Sequence, residues 1–492
     1  MQLRGCMPIL FVFAAFLLPS TTCLVHGPID HPHWYETRGH NASIPQVPTS
    51  MPPLLIDTFH DPLHNDLGFW HGTGENLPMH HGPGFMRLFP SDPDQNFHTQ
   101  LDASGCFSLV PWQQQYLHVV FEGNEEFSVS LNEHNAECYP RRSPFPGVAD
   151  TVQASRYLMR TNMDREQVSE TEGDSQNASK SHRKHSWPQP KHPNKDSCDV
   201  DDDQGQVPAS PGRTELYIPL SHFRINLNRV ISVSFTGFYT HEPITLYRVE
   251  IVPTVPPPST ANNHFVIPEK LPNGSLVLRC SLPNSFAFGI DDGQPRYAQE
   301  VLRILDEEDV RVTFFAVGAG LSDPTTNFTN FYREMLSKGH QVALHSNTHP
   351  KMEALSTLEK IDEEILETVQ VFKNELNLQC KRPGHKASIL PTPFGTVGAR
   401  LRQRLALHIP DPYIVNWSVD VEDWLWANTS TPEKQLDAFY RNVARGGNLA
   451  VMHFLNPTTV GYLPQFIRHA KAAGLRIMRI DQCLEDPHSP PL

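Results

Sequence analysis

The period of hydrophobic and polar positions changes near residue 296 of this chain. Between about residues 51 and 255, short alternating stretches such as "YLHVVFEGNEEFSVSL" and "NRVISVSFTGFY" are separated by Gly, Pro and Asn. Alternation of this kind is typical of antiparallel strands, and helical periodicity is nearly absent there. We therefore predict an all-β sandwich domain over residues 51–255, followed by a Pro-rich linker over residues 256–275.

After the linker, strand-like and helix-like segments alternate. The runs "FAFGID", "RVTFFAV", "QVALHS", "YIVNWSV" and "LAVMHF" are apolar enough for buried strands. Between them, segments such as "YAQEVLRILDEED" and "TLEKIDEEILETVQVFKNEL" have helical spacing. The predicted fold class is therefore α/β, with a parallel barrel or a doubly wound sheet over residues 276–487. In both folds the functional groups gather at the carboxyl ends of the strands.

The amino terminus has the order of a secretory signal peptide: Arg4, the apolar run "MPILFVFAAFLLP" and the small residues "STTC". We expect residues 1–26 to be that signal and residues 27–50 to be an irregular leader. The apolar run is shorter than the roughly 20 residues of a membrane-spanning helix, and no later segment is long and apolar enough. The prediction is a secreted or cell-wall-associated protein without a membrane span.

Amino-acid composition and net charge further limit the kind of protein and the partners that we expect. The chain has 492 residues, of which 39% are hydrophobic and 19% charged, and these values suit a folded, soluble protein of two domains. We separately expect a monomer. A formal net charge of -14 argues against nucleic acid as a partner, since phosphate binding needs clustered Lys and Arg.

Residues 164–206 have few apolar side chains and mixed charge runs, so we expect a disordered insertion there.

Cysteines and glycosylation sequons fit an oxidising compartment. Cys106 and Cys138 are a candidate disulfide that would join strands of the sandwich, whereas Cys198 and Cys380 are expected to stay unpaired or to pair weakly. The predicted glycoprotein has six sequons, at Asn41, Asn177, Asn273, Asn327, Asn416 and Asn428.

The strand ends carry the candidate chemistry. "GIDDG" places Asp291 and Asp292 next to each other, where one carboxylate can bind a metal while its neighbour faces a bound water. "HSNTH" adds His345 and His349, a pair that alone would be weak evidence in a chain with 26 histidines. Together, one Asp and two His are the ligands that Zn²⁺ takes in catalytic sites with open positions.

Two further motifs end at the same edge. "WSVDVEDW" contains Asp420, Asp423 and Trp424, and "NLAVMHF" ends a strand with His453. A histidine after a buried strand is more often a satisfied core residue. At this edge, however, a nearby carboxylate would raise the pKa of His453 so that it donates a proton.

The ordered set "GIDDG", "HSNTH", "DVEDW" and "LAVMH" resembles the polysaccharide deacetylases, the NodB-like carbohydrate esterases of family 4 that include the chitin deacetylases. The resemblance covers roughly residues 276–487. It implies a distorted (β/α) barrel and a divalent metal, usually Zn²⁺ with Co²⁺ as another choice. It also implies hydrolysis of N-acetyl groups in N-acetylglucosamine-containing polysaccharide such as chitin, with release of acetate.

By position, the resemblance implies a role for each site residue. Asp292, His345 and His349 correspond to the metal ligands. Asp291 corresponds to the general base and His453 to the general acid.

The remaining implied roles concern residues around this centre. Asp420 corresponds to the carboxylate that tunes His453, and Trp424 to the aromatic wall beside the sugar. The cysteine pair that the resemblance implies is Cys280 with Cys483.

One motif departs from the family. Its usual Arg-Pro-Pro-aromatic-Gly turn is represented either by Arg382 with Pro383 or by "PTPFG", in which Pro391 stands where arginine would be. Gly289 and Ile290 replace the threonine and phenylalanine that commonly precede the two aspartates. These departures leave the predicted metal ligands in place, but they affect what can be expected of catalytic efficiency and of the class of polysaccharide substrate.

Two other functions compete with this one. A non-haem iron oxygenase also uses two histidines and a carboxylate, but such sites usually lie on a β-sandwich rather than on an α/β fold. A glycan-binding protein with a weakened or inactive deacetylase domain is suggested by the altered arginine motif. The presence of all three ligands, the base and the acid favours the enzyme.

Overall fold

A computed structural model describes residues 51–102, 106–134, 138, 148–159, 212–256, 265–378, 389–391 and 393–486. Several predicted features lie outside these residues: the signal peptide and leader, the insertion 164–206, Arg382, Cys198 and Cys380. Among the described residues, no helix is long and apolar enough to cross a membrane.

The first half of the described chain consists of eleven antiparallel strands. The strands are β1 Leu54–Asp57, β2 His71–Gly74, β3 Met79–Gly82, β4 Phe85–Leu88, β5 Asn96–Gln100, β6 Tyr116–Gly123, β7 Ser128–Glu133, β8 Val148–Gln153, β9 Thr214–Pro219, β10 Val230–Thr236 and β11 Ile244–Val252. One sheet has the order β3-β4-β11-β6-β9, with β1 paired to β11, and the other has the order β2-β5-β10-β7-β8.

The two antiparallel sheets share one hydrophobic core. In β6, the apolar residues Leu117, Val119 and Phe121 alternate with less buried positions and are fully buried, as the period of two requires. Val233 and Phe235 of β10 contribute to the same cluster from the second sheet. The limits of the sandwich as a separate domain stay a prediction.

The second half alternates strands with helices. Its strands are β12 Ser275–Val277, β13 Ser285–Asp291, β14 Thr313–Ala316, β15 Gln341–Leu344, β16 Ile389–Pro391, β17 Tyr413–Val415, β18 Val419–Asp420, β19 Leu449–His453 and β20 Arg476–Ile477. The helices are α1 Ala298–Glu307, α2 Gly318–Ser322, α3 Phe328–Ser337, α4 Leu358–Leu376, α5 Ala399–His408, α6 Asp423–Trp426, α7 Lys434–Ala444, α8 Pro457–Ala472 and α9 Ile480–Cys483.

The predicted parallel α/β arrangement is confirmed, but the described strands do not close a barrel. The larger parallel sheet has the order β15-β14-β13-β19-β18, with β20 paired to β13. The strands that would complete a ring, β12, β17 and β16, pair with one another in a separate sheet of three. Among the described residues, β12 and β16 each pair with β17 and with no strand of the larger parallel sheet.

Both predicted disulfides are present. Cys280 precedes β13 and is bonded to Cys483 in α9, so this bridge joins the two ends of the α/β half. Cys106 is bonded to Cys138 in the β half. Bridges of this kind stabilise a fold mainly by restricting the unfolded chain.

Arg402 of α5 links the two halves. Its buried guanidinium donates to the backbone oxygens of Asn273, Ala149 and Gly274 at 3.0, 3.1 and 3.1 Å. Asn273 is itself buried and donates through its side-chain amide to Asp150 at 2.5 Å. A glycan on the Asn273 sequon is therefore incompatible with this packing, because its amide nitrogen has no access to solvent.

Candidate active site

The two adjacent aspartates diverge at the end of β13. Asp291 is the last residue of a fully buried strand, whereas Asp292 adopts a left-handed backbone with φ 55°. Gly293 follows at φ 136°, and a Cβ there would lie 2.0 Å from the ring of Phe454. The turn therefore needs glycine at this position, and it sends the two carboxylates in different directions.

Asp292, His345 and His349 converge into a candidate metal centre. Asp292 Oδ1 lies 3.5 Å from His345 Nε2 and 3.4 Å from His349 Nε2. One ligand atom from each residue falls within a 4.8 Å cluster. Asp292 Oδ1 is buried and accepts no hydrogen bond from any described residue. A buried carboxylate oxygen that faces two imidazole nitrogens fits a divalent cation.

The histidine loop is held by groups that sequence reasoning missed. Glu364 of α4 accepts from the backbone N–H groups of Asn347 and Thr348 at 2.8 and 2.9 Å. The Ser346 hydroxyl accepts from the His349 N–H at 3.0 Å. His349 has a left-handed backbone, with φ 62°, which a non-glycine residue adopts only when its surroundings impose it.

Asp291 lies beside the cluster without joining it. Its Oδ2 is 3.8 Å from His345 Nε2, and its Oδ1 is buried with no hydrogen-bond donor among the described residues. Burial raises the pKa of Asp291 well above its ordinary value, although the nearby His453 opposes part of that rise. Once ionised, such a carboxylate is a strong proton acceptor.

The carboxylate that is hydrogen-bonded to His453 is Asp423, whereas the role assigned to Asp420 from the sequence stays a prediction. The Nδ1–H of His453 donates to Asp423 Oδ1 at 2.9 Å, and its backbone N–H donates to Asp423 Oδ2 at 2.7 Å. Burial lowers the pKa of His453, but the charge and hydrogen bond of Asp423, with the charges of Asp291 and Asp292, raise it to about 10.

Strand register explains why Asp423 contacts His453. Asp420 ends β18 and pairs with Val451, two positions before His453 in β19. Glu422 then adopts φ 56°, and α6 begins at Asp423, which turns that residue towards His453. Asp420 instead accepts from the Glu422 N–H at 2.7 Å, and burial raises its pKa to about 6.

Aromatic side chains lie at the edge of the site. Trp424 is 70% exposed, and its Nε1–H donates to Asp420 at 3.4 Å. Phe394, in the turn after β16, is 58% exposed, and its ring centroid lies 4.9 Å from that of His349. The sequence motif "PTPFG" pointed to this turn without assigning Phe394 a role. Both rings are available to stack on a sugar.

A pocket of about 260 Å³ opens beside the candidate metal centre. Asp292 and His349 form its polar side, and Val317, Phe328 and Leu455 contribute apolar walls. The pocket is therefore large enough for a small acyl group, with the candidate metal ligands at one side.

Part of this chain is similar in sequence to known proteins. Residues 280–407 match the sequence model of the family described as polysaccharide deacetylase. The peptidoglycan-N-acetylglucosamine deacetylase PgdA of Listeria monocytogenes is 28% identical over 198 residues, which are 40% of this chain and 38% of that protein. The chitin deacetylase of Pestalotiopsis sp is 28% identical over 217 residues, which are 44% of this chain and 69% of that protein.

The similarity to solved structures is confined to part of the chain. The chitin deacetylase from the fungal pathogen Colletotrichum lindemuthianum covers 44% of this chain and 94% of its own, with 22% identity and a TM-score of 0.39. The chain spans less than two-fifths of the length of the Listeria relatives.

Proposed function

We propose that this protein, in which residues 280–407 match the sequence model of the polysaccharide deacetylase family, is a secreted metal-dependent hydrolase. Its substrate would be a polysaccharide that contains N-acetylglucosamine, such as chitin, and its products would be acetate and the free amine. The relatives named as chitin and peptidoglycan deacetylases support this substrate class. We further propose that it acts as a monomer.

The observation that carries the proposal is that three groups of side chains, each with a chemistry that amide hydrolysis needs, lie at one edge of the parallel sheet. A candidate ligand set, a buried carboxylate outside that set and a histidine held by Asp423 all lie at the carboxyl ends of β13, β15 and β19. A general base, a general acid and an electrophilic centre are the parts that amide hydrolysis requires.

Asp292, His345 and His349 would hold the metal, with Zn²⁺ or Co²⁺ suited to their nitrogen and oxygen donors. When bound, such an ion supplies Lewis acidity at the acetamide carbonyl.

The remaining steps are performed by side chains of this chain. Asp291 accepts a proton from the attacking water, whose oxygen forms the new bond to the carbonyl carbon. His453, oriented through its Nδ1–H by Asp423, donates a proton to the sugar nitrogen as the carbon–nitrogen bond breaks. Acetate and the free amine leave. Trp424 offers its exposed ring as a wall for the sugar.

The proposal is tested by acetate release from N-acetylglucosamine oligomers and from peptidoglycan. We expect the full-length protein to release acetate, to lose this activity in chelator and to recover it with Zn²⁺ or Co²⁺. Asp291→Asn is the matched control, because it keeps the ligand set and removes the base. Absence of acetate from every substrate with the metal-loaded protein would contradict the proposal.

A second candidate is a glycan-binding protein with a weakened or inactive deacetylase domain. It is favoured by the alternative in which "PTPFG" represents the family turn, because Pro391 then stands where the family has arginine. Retained binding to the same oligomers without acetate release would support it over the hydrolase.

A further inference from the structure

We propose that Asp92 and Asp94, which lie outside the matched family region, are positioning residues for the metal-binding loop. This inference rests on the proposed function and deepens it. Both aspartates belong to the segment between β4 and β5, in the antiparallel half of the molecule. They connect that half to the candidate active site.

The connection is made through Lys351, two residues after His349. Lys351 Nζ lies 2.7 Å from Asp92 Oδ1, 2.6 Å from Asp92 Oδ2 and 2.6 Å from Asp94 Oδ2. One ammonium group thus binds two carboxylates from a segment more than 250 residues earlier. The end of the histidine loop is therefore anchored to the β half.

The same segment also holds the turn that bears Phe394. The Thr396 hydroxyl donates to Asp94, and Lys351 Nζ lies 5.7 Å from the centroid of the Phe394 ring. That ring contacts His349 in turn. Asp94 therefore links the metal-binding loop to an exposed aromatic residue at the edge of the site.

The aspartate segment is itself held in place. The Asp94 N–H donates to Asp92 Oδ1 at 2.9 Å, and the Ser91 N–H donates to Gln95 at 2.7 Å. The Gly237 N–H, just after β10, donates to the Pro93 oxygen at 3.2 Å. Because these hydrogen bonds fix the segment against the antiparallel sheet, its two aspartates can hold Lys351 in place.

The need for an anchor follows from the backbone of the loop. Ser346 and His349 both have left-handed backbones, with φ 61° and 62°, so the loop requires support from its surroundings. Glu364 holds Asn347 and Thr348, before His349, and the aspartates hold Lys351, after it. Loss of the second anchor would leave the third metal ligand supported from one side only.

The effect should appear in metal affinity more than in folding. The side chains of Lys351 and Asp94 are 26% and 25% exposed and that of Asp92 is 39% exposed, and exposed ion pairs contribute little to stability. Partners that orient metal ligands, by contrast, typically change metal affinity by about 10- to 100-fold when they are lost.

The test compares Zn²⁺ affinity in full-length proteins by competition with a chromogenic chelator. We expect affinity to fall about 10- to 100-fold in Asp92→Asn/Asp94→Asn and in Lys351→Met, with recovery in Lys351→Arg. The matched control is Glu300→Gln/Glu307→Gln, which removes two exposed partners of Arg303 on α1 and should leave affinity unchanged.

Zn²⁺ affinity within twofold of wild type in both the aspartate and Lys351→Met variants would overturn the inference. If the double aspartate variant does not fold, Lys351→Met decides, because it leaves the aspartate segment intact. This measurement needs no substrate. Failure of the wild type to release acetate would therefore refute the proposed function, whereas unchanged Zn²⁺ affinity would refute only the positioning role.

Discussion

A comparison of the variants Asp423→Asn and Asp420→Asn tests which of the two carboxylates orients His453, the proposed general acid. Asp423 accepts from both the Nδ1–H and the backbone N–H of His453, and it is buried. An asparagine has one acceptor oxygen and one NH₂ donor, so it cannot accept both bonds through separate oxygens. Asp420 accepts from the Glu422 N–H, and an asparagine at that position can keep this bond.

The size of the effect follows from the lost bond. A hydrogen bond that involves a charged group contributes about 1.5–3 kcal/mol, and about 1.4 kcal/mol corresponds to a tenfold change in rate. We therefore expect Asp423→Asn to lower kcat for acetate release by about 10- to 150-fold. Asp420→Asn, which leaves the contacts of His453 intact, should stay within about threefold of wild type.

The assay is the initial rate of acetate release from an N-acetylglucosamine oligomer at saturating Zn²⁺. Zn²⁺ content and melting temperature are measured in parallel, so that a folding or metal defect is not counted as lost proton transfer. Equal losses in the two variants, or a larger loss in Asp420→Asn, would refute the assignment of Asp423 as the partner of His453.

The remaining predictions concern the ligands, the base and one buried carboxyl. His345→Ala and His349→Ala should each reduce bound Zn²⁺, and full metal content in both by elemental analysis would rule out the ligand set. Asp291→Asn should keep the metal yet slow acetate release by about 10²- to 10⁴-fold, whereas Asp292→Asn should lose the metal; retained activity in Asp291→Asn contradicts its role as base. Burial raises the pKa of Glu353 to about 7. Because this pKa is higher in the folded state than in the unfolded chain, the protonated carboxyl stabilises the fold at pH values below its pKa in the unfolded chain. This contribution of about 3 kcal/mol is lost as pH rises through about 7. Urea unfolding at pH 5 and pH 8 should show a loss of stability that is larger in wild type than in Glu353→Gln by about this amount, since Asp291 and Asp420 also have raised pKa values in both proteins; the same pH dependence in both proteins would exclude Glu353 as a source.

The sequence by itself determined the elements and the ligand chemistry. Period-two alternation predicted antiparallel strands before residue 256, and buried runs alternating with helical spacing predicted the parallel α/β half. Asp292, His345 and His349 could be selected because each follows a strand-like run, and parallel strands end at the same edge of a sheet. Such inferences are possible because periodicity and ligand type are local properties, and the ligand set stays a prediction.

Pairing between strands was decided only by the tertiary structure. β12, β16 and β17 form their own sheet, although their sequences are equally compatible with places in a closed barrel. Asp420 and Asp423 lie in the same motif and have the same chemistry. The register of β18 on β19 and the left-handed turn at Glu422 decide that Asp423 contacts His453.

The contact of Asp92 and Asp94 with Lys351 shows the same limit over a longer separation. Hydrophobic periodicity cannot predict a contact between residues that are more than 250 positions apart. An aspartate pair in a loop has no sequence feature that indicates which residue it will contact. Arg402 of α5 contacts the β half at Ala149, and Lys351 contacts it at the loop before β5, so both are contacts between segments far apart in the chain. Side-chain identities can be taken from the chain, but which of them meet depends on how its two halves pack.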